Sequence, residues 1–244
     1  AHPKSFLMAS SAAHMTPQER TSSFSLASIF ALRMFGLFII LPVFAVYARE
    51  LPGGDSETLV GITLGIYGLT QGLLQIPFGV ASDRLGRKPV IIFGLIIFAL
   101  GSFLAASGAN IWIVMLGRML QGAGAISAAV TAFIADSVRV QVLTKAMAMV
   151  GASIGLTFAL SLLISPPLTK LWGVSGLFTL TGISALIAVL VVKFVVPPAP
   201  QSAIDEKNEH RSWRKVVCDP QLVRLNIGIF VLHAVLTAIF VVIP

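Results

Sequence analysis

Charged side chains crowd one short stretch between two long apolar runs. Asp83, Arg84, Arg87 and Lys88 lie within residues 79–89, Gly-Val-Ala-Ser-Asp-Arg-Leu-Gly-Arg-Lys-Pro. The chemistry open to such a set is ion pairing. Asp83 and Arg87 are four residues apart and can pair if a helix continues to Arg87. Asp83 stands at the carboxyl end of an apolar run, where the helix dipole disfavours an anion, so a cation or a helix amino terminus should offset it. Asp136 closes a later apolar run and offers a second carboxylate. Two further cations, Arg33 and Arg118, fall inside apolar runs, where an arginine is costly unless paired or facing water. His233 also falls in an apolar run and is the one such group that titrates near neutral pH. The ten carboxylates all lie in tails, loops or helix ends.

Other chemistries have little support. There is no HExxH, no Walker loop and no G-x-S-x-G, so an enzyme is not expected. The single cysteine, Cys218, excludes a disulfide or a cysteine metal site within one chain, and no metal or organic cofactor is expected. The net charge of +7 could suggest nucleic acid. However, the basic residues occupy short loops between apolar runs, and membrane topology with anionic lipid accounts for them better.

These residues must be positioned by membrane-spanning helices. The chain of 244 residues is 56% hydrophobic and 11% charged, with mean hydropathy +0.92. A soluble domain carries about 25% charged residues. Seven apolar runs, at 24–48, 58–81, 88–107, 111–135, 146–170, 174–196 and 222–244, approach the roughly 20 residues that span hydrocarbon. Residues 1–22 read as a polar tail without function, 23–196 as a six-helix domain, 197–221 as a linker and 222–244 as a seventh span. The linker clusters Arg211, Trp213, Arg214 and Lys215, which suits either an amphipathic helix on lipid or a solvated connection. Of the 17 Lys and Arg, the tail, the loops after the even-numbered spans and their helix ends hold 13. The opposite side holds only Arg49 and Lys170, which predicts a cytoplasmic amino terminus.

Within the spans, Gly61, Gly65, Gly68 and Gly72 share one face and could allow close packing, static or sliding. Tyr67, Gln71 and Gln75 follow at spacing four. Pro42 should bend the first span. Arg118 and Gln121 share a face, and Asp136 lies five turns beyond Arg118 on the same stripe, roughly 27 Å away if the helix is unbroken.

The pattern G-x-x-x-D-R-x-G-R-K at 79–88 resembles the signature loop between the second and third helices of the major facilitator superfamily. A plain basic turn explains Arg84, Arg87 and Lys88 but neither Gly79, Gly86 nor Asp83. The run Leu116-Gly117-Arg118-Met119-Leu120-Gln121-Gly122-Ala123-Gly124-Ala125 resembles that family's fourth-helix motif. Met15-Thr16-Pro17, Phe30-Ala31-Leu32-Arg33-Met34, Gly65 to Gln71 and Leu225-Asn226-Ile227-Gly228 resemble bacterial inner-membrane members. One departure stands out: Leu156 follows Gly155, where the drug-antiporter motif has proline.

The resemblance implies an all-α polytopic membrane protein: the amino-terminal six-helix half of a twelve-helix transporter plus its seventh helix. A chain so built is either truncated or continued by residues outside this sequence. Also implied are alternating access, a small-molecule substrate, coupling to the proton gradient, bacterial inner-membrane location and a monomeric full-length state. Asp83, Arg87 and Asp136 take the role of a cytoplasmic charge relay that latches the outward-facing state, with Gly79, Arg84, Gly86 and Lys88 around them. Arg33, Tyr67, Gln71, Arg118, Gln121 and His233 are candidates for a substrate or proton pathway. For each of the two arginines a structural role remains open, and for Asp83 and Asp136 an ordinary salt bridge. A half that does not transport, acting as an assembly or regulatory partner, is the competing reading.

Overall fold

The computed structural model describes residues 14–197 and, beyond them, the helical positions 220, 221, 223, 224, 227, 228, 231 and 235. The tail before His14, the linker cluster, Cys218 and His233 lie outside the described residues. The chain divides into two units, 1–199 and 200–244, and the helices named next belong to the first.

Every described element is a helix. In chain order they are α1 (Pro17–Phe38), α2 (Leu41–Glu50), α3 (Glu57–Leu85), α4 (Arg87–Ala106), α5 (Ile111–Ala123), α6 (Ser127–Ser137) and α7 (Val140–Phe194). The first and fourth crossings are each made by two helices in series, and α7 supplies the fifth and sixth. At 1.5 Å per residue its 55 residues would run about 80 Å, far beyond a bilayer core of roughly 30 Å. Gly173, with φ 66° and ψ 177°, breaks it into two arms. An L side chain at that backbone angle would be strained. Six crossings therefore occupy positions close to the first six apolar runs.

The helix ends follow from local chemistry. Thr16 caps α1 through a reciprocal bond with Glu19, with Pro17 opening the helix. The first helix thus starts well inside what the sequence reads as a tail. Pro42 lacks an N–H and its ring excludes the carbonyl four residues back, so α1 stops at Phe38. The Ser165 hydroxyl on α7 donates to the Ile39 carbonyl at 2.5 Å, satisfying backbone near that break. Ser56 and Asn110 cap α3 and α5.

In packing, α7 lies along α1 and α4, while α5 sits between α3 and α4. The main core joins Leu26, Ile29 and Phe30 of α1, Ile91 and Leu95 of α4, Val130 and Phe133 of α6, and Ala188 and Val192 of α7. Large apolar side chains such as Leu73, Phe93 and Leu163 point outward, as a bilayer requires.

One face stays bare and one expectation fails. The stripe of Gly61, Gly65, Gly68 and Gly72 faces open space, with no described atom within 4 Å of where a Cβ would stand. Close approach is made by other glycines: a methyl at Gly101 or Gly117 would strike backbone across the α4–α5 contact. Glycine spacing marks a bare face but does not say which face has a neighbour. The expectation that fails concerns the fourth crossing. It is not one rigid helix from Arg118 to Asp136, because Gly124, Ala125 and Ile126 interrupt it. At Gly124 a methyl would collide with the Gly94 carbonyl.

Candidate functional site

The loop 79–89 joins α3 to α4 through one residue. Gly86 takes φ 94° and ψ 153°, a region essentially restricted to glycine. The helix does not continue to Arg87, so the condition set for an Asp83–Arg87 pair is not met. The pair forms across the break instead. Arg87 Nη1 lies 2.6 Å from Asp83 Oδ1 and donates to Ser82 Oγ at 2.7 Å. Its Nε donates to Asp136 Oδ2 at 2.9 Å. One guanidinium thereby joins the end of α3, the start of α4 and the end of α6. Arg87 and Asp136 side chains are each 7% exposed, and Asp83 is 57% exposed. The cation is the offset that the unfavourable dipole at Asp83 calls for.

The neighbours in this loop differ in kind. Arg84 is exposed. Lys88 Nζ donates to the Val196 carbonyl, just past the end of α7. A Cβ on Gly79 would meet only the Ala128 Cβ, at 3.7 Å, an ordinary contact. Gly79 is therefore not required by any close helix approach among the described residues.

A second cluster lies inside the bundle. Arg33 of α1 donates from Nη1 to Ser127 Oγ at 2.7 Å and from Nη2 to Gln71 Oε1 at 2.9 Å. Arg118 of α5 donates from Nη1 to Gln121 Oε1 at 3.1 Å. Gln121 Nε2 donates onward to Ser102 Oγ at 2.8 Å, and Ser102 donates to the Phe98 carbonyl. Rings complete the surroundings. The Arg118 guanidinium carbon sits 4.9 Å from the Tyr67 ring centroid, and that of Arg33 5.8 Å from Phe98, both within cation–π range. Tyr67, Gln71, Arg33, Arg118 and Gln121 of the first, second and fourth crossings thus form a polar layer, to which the third adds Ser102 and Phe98. Both arginines are 1% exposed. Among the described residues neither forms an ion pair with a carboxylate; amides, hydroxyls and rings hold them. The Nε of each and the Tyr67 hydroxyl have no hydrogen-bond partner in the described structure.

The sequence singled out neither Ser102, Ser127 nor Phe98. Single serines in apolar helices carry no distinguishing spacing, and only the fold brings them to the arginines. Glu19 and Arg139 were also passed over. Arg139 Nε lies 2.8 Å from Glu19 Oε1. The pattern Thr16-x-x-Glu19 ahead of an apolar run was a readable capping signal, but its arginine partner was not.

Stacked apolar crossings around buried polar groups make a polytopic membrane domain of the kind secondary transporters use. The match to the Major Facilitator Superfamily covers residues 26–244, and the chain belongs to that superfamily. It is 45% identical over 232 residues to the inner membrane transport protein YajR of Escherichia coli K12, covering 94% of this chain and 51% of YajR. It is 35% identical over 127 residues to the class B tetracycline resistance protein of Escherichia coli, covering 51% of this chain and 32% of that one. Its fold matches the human organic anion transporter MFSD10 with a TM-score of 0.66 at 18% identity, over 75% of this chain and 49% of that one. The chain spans about half the length of the curated relatives it matches over most of its length. It is a membrane transporter family member, not an enzyme.

Proposed function

We propose that this chain forms the amino-terminal half of a secondary transporter of the bacterial inner membrane. It moves a small solute outward by alternating access, coupled to the proton gradient, with a cytoplasmic amino terminus. The loop 79–89 latches the inner rim while the cavity faces outward. The observation that carries this reading is the shared guanidinium of Arg87, which holds Asp83 and Asp136 at once. An alternating-access equilibrium needs a differential energy of only a few kcal/mol between states, and a buried ion pair is of that order. The relative named for inner membrane transport supports the location, and the one named for tetracycline resistance supports outward movement of a small molecule.

The polar layer around Arg33 and Arg118 is the pathway in this reading. Its two cations, held by neutral groups, suit a solute or partner group bearing negative or electron-rich character. No carboxylate among the described residues lies in this layer, so proton exchange within the membrane falls to His233 or to the other half of the transporter.

The test is accessibility labelling of cavity cysteines in the full-length protein, with Cys218 replaced by serine. Arg87→Ala should shift labelling from the outside toward the inside. Unchanged labelling in that variant removes the latch and leaves the family assignment standing.

A further inference from the structure

Glu19 does more than begin a helix. An ordinary capping box needs two bonds, and both are present: Glu19 Oε2 accepts from the Thr16 N–H at 2.8 Å, and Thr16 Oγ1 accepts from the Glu19 N–H at 3.2 Å. The same carboxylate takes three further bonds from a residue 120 positions away. Oε1 accepts from the Arg139 backbone N–H at 3.0 Å and from its Nε at 2.8 Å, and Oε2 accepts from Nη2 at 3.1 Å. Arg139 Nη2 also donates to the His14 carbonyl at 2.9 Å. The Glu19 side chain is 8% exposed. This two-pronged grip is the geometry in which arginine binds a carboxylate most firmly, and it holds the Arg139 guanidinium above its ordinary pKa.

The location gives the grip its meaning. Arg139 is the N-cap position of α7, and α6 ends two residues earlier at Ser137. The corner between the fourth and fifth crossings is therefore Val138 and Arg139. Asp136, which receives the Arg87 guanidinium, stands three residues before Arg139 on the last turn of α6. No side chain caps α7, so the bonds from Arg139 to Glu19 and His14 tie this corner to the start of the first crossing. A drift of about 1 Å at Asp136 would carry its 2.9 Å contact with Arg87 out of hydrogen-bond range.

We propose that Glu19 and Arg139 form a positioning pair that fixes the corner between the fourth and fifth crossings and so keeps Asp136 within reach of Arg87. The proposal rests on the latch reading of Arg87. It adds that the latch has a support on the first helix, in a segment the sequence reads as functionless tail.

Two substitutions separate this role from helix capping. Glutamine serves a capping box as well as glutamate does, so Glu19→Gln keeps the cap and removes the charged grip on Arg139. Thr16→Ala weakens the cap and leaves that grip. Both are made in the full-length protein with Cys218→Ser, and the readout is the ratio of outside to inside labelling of cavity cysteines. Glu19→Gln should shift the ratio in the direction of Arg87→Ala, by about threefold where Arg87→Ala gives about tenfold, a partial population shift. Thr16→Ala should lower thermal stability and leave the ratio unchanged. Combining Glu19→Gln with Arg87→Ala should add nothing, because both act on one contact.

Arg87→Ala active with Glu19→Gln silent overturns the positioning pair and leaves the latch. Additive effects, or a shift by Thr16→Ala equal to that of Glu19→Gln, overturn it as well. A shift by Glu19→Gln with Arg87→Ala silent overturns the latch and the route through Asp136 together, and silence of both variants does the same.

Discussion

The inner rim and the polar layer satisfy arginines in opposite ways. At the rim, Arg87 meets two carboxylates and Arg139 meets one. Inside the bundle, Arg33 and Arg118 meet amides, hydroxyls and aromatic faces. The difference tracks the cost of charge. Near the membrane surface water lowers the penalty for each ion, so acids are available as partners. Deeper in, a carboxylate beside an arginine adds a second ion to desolvate, and neutral dipoles spread the cost over many groups. The rim is thus built from strong local pairs and the layer from a weaker, distributed network.

That contrast can be broken at several points. The largest effect is expected at the rim. Arg87→Ala should lower the stability of the bundle by about 3 kcal/mol, the scale for breaking a buried ion pair, read from the denaturation midpoint in detergent. A loss under 1 kcal/mol would show that the rim is not held by a strong pair. Gln121→Leu comes next. It removes the acceptor of Arg118 Nη1 and should cost about 2 kcal/mol, the scale for a hydrogen bond to a charged group. A cost above that of Arg87→Ala would invert the comparison.

The loop glycines sharpen it further. Gly86→Ala forces a Cβ into a backbone region reserved for glycine and should cost about 1–3 kcal/mol. Gly79→Ala should stay within about 0.5 kcal/mol, since its methyl meets only ordinary contact. Equal effects at the two positions would show that packing, not backbone angle, fixes the loop.

Much of this was legible beforehand, for definable reasons. Hydropathy located the six crossings because hydrocarbon thickness imposes a length on each one. The Asp83–Arg87 pair was legible from its spacing of four, but its route was not: the sequence reading ties it to a continuing helix, and the chain makes it across the turn at Gly86. The polar layer was half legible: arginines in apolar runs advertise themselves, but Ser102 and Ser127 become partners only through the fold. The break at Gly124 was hidden because it depends on how closely Gly94 approaches. Gly61 and its companions look like a packing face, yet the described chain places nothing against them. The Glu19 carboxylate shows the limit plainly. Its local partner Thr16 could be read from three residues of spacing, while Arg139 lies 120 positions away.

The break at Gly173 has a further consequence. The fifth and sixth crossings meet there with hardly any connecting chain, like the legs of a drawing compass at its pivot. Their joined ends cannot drift apart, whereas their far ends, Val140 beside the corner bound to Glu19 and Phe194 at the other tip, have no direct link to each other among the described residues. A tilt of one leg against the other is taken up first by rotation at this glycine. Side chains that stiffen that pivot would slow every motion in which the two legs change their angle.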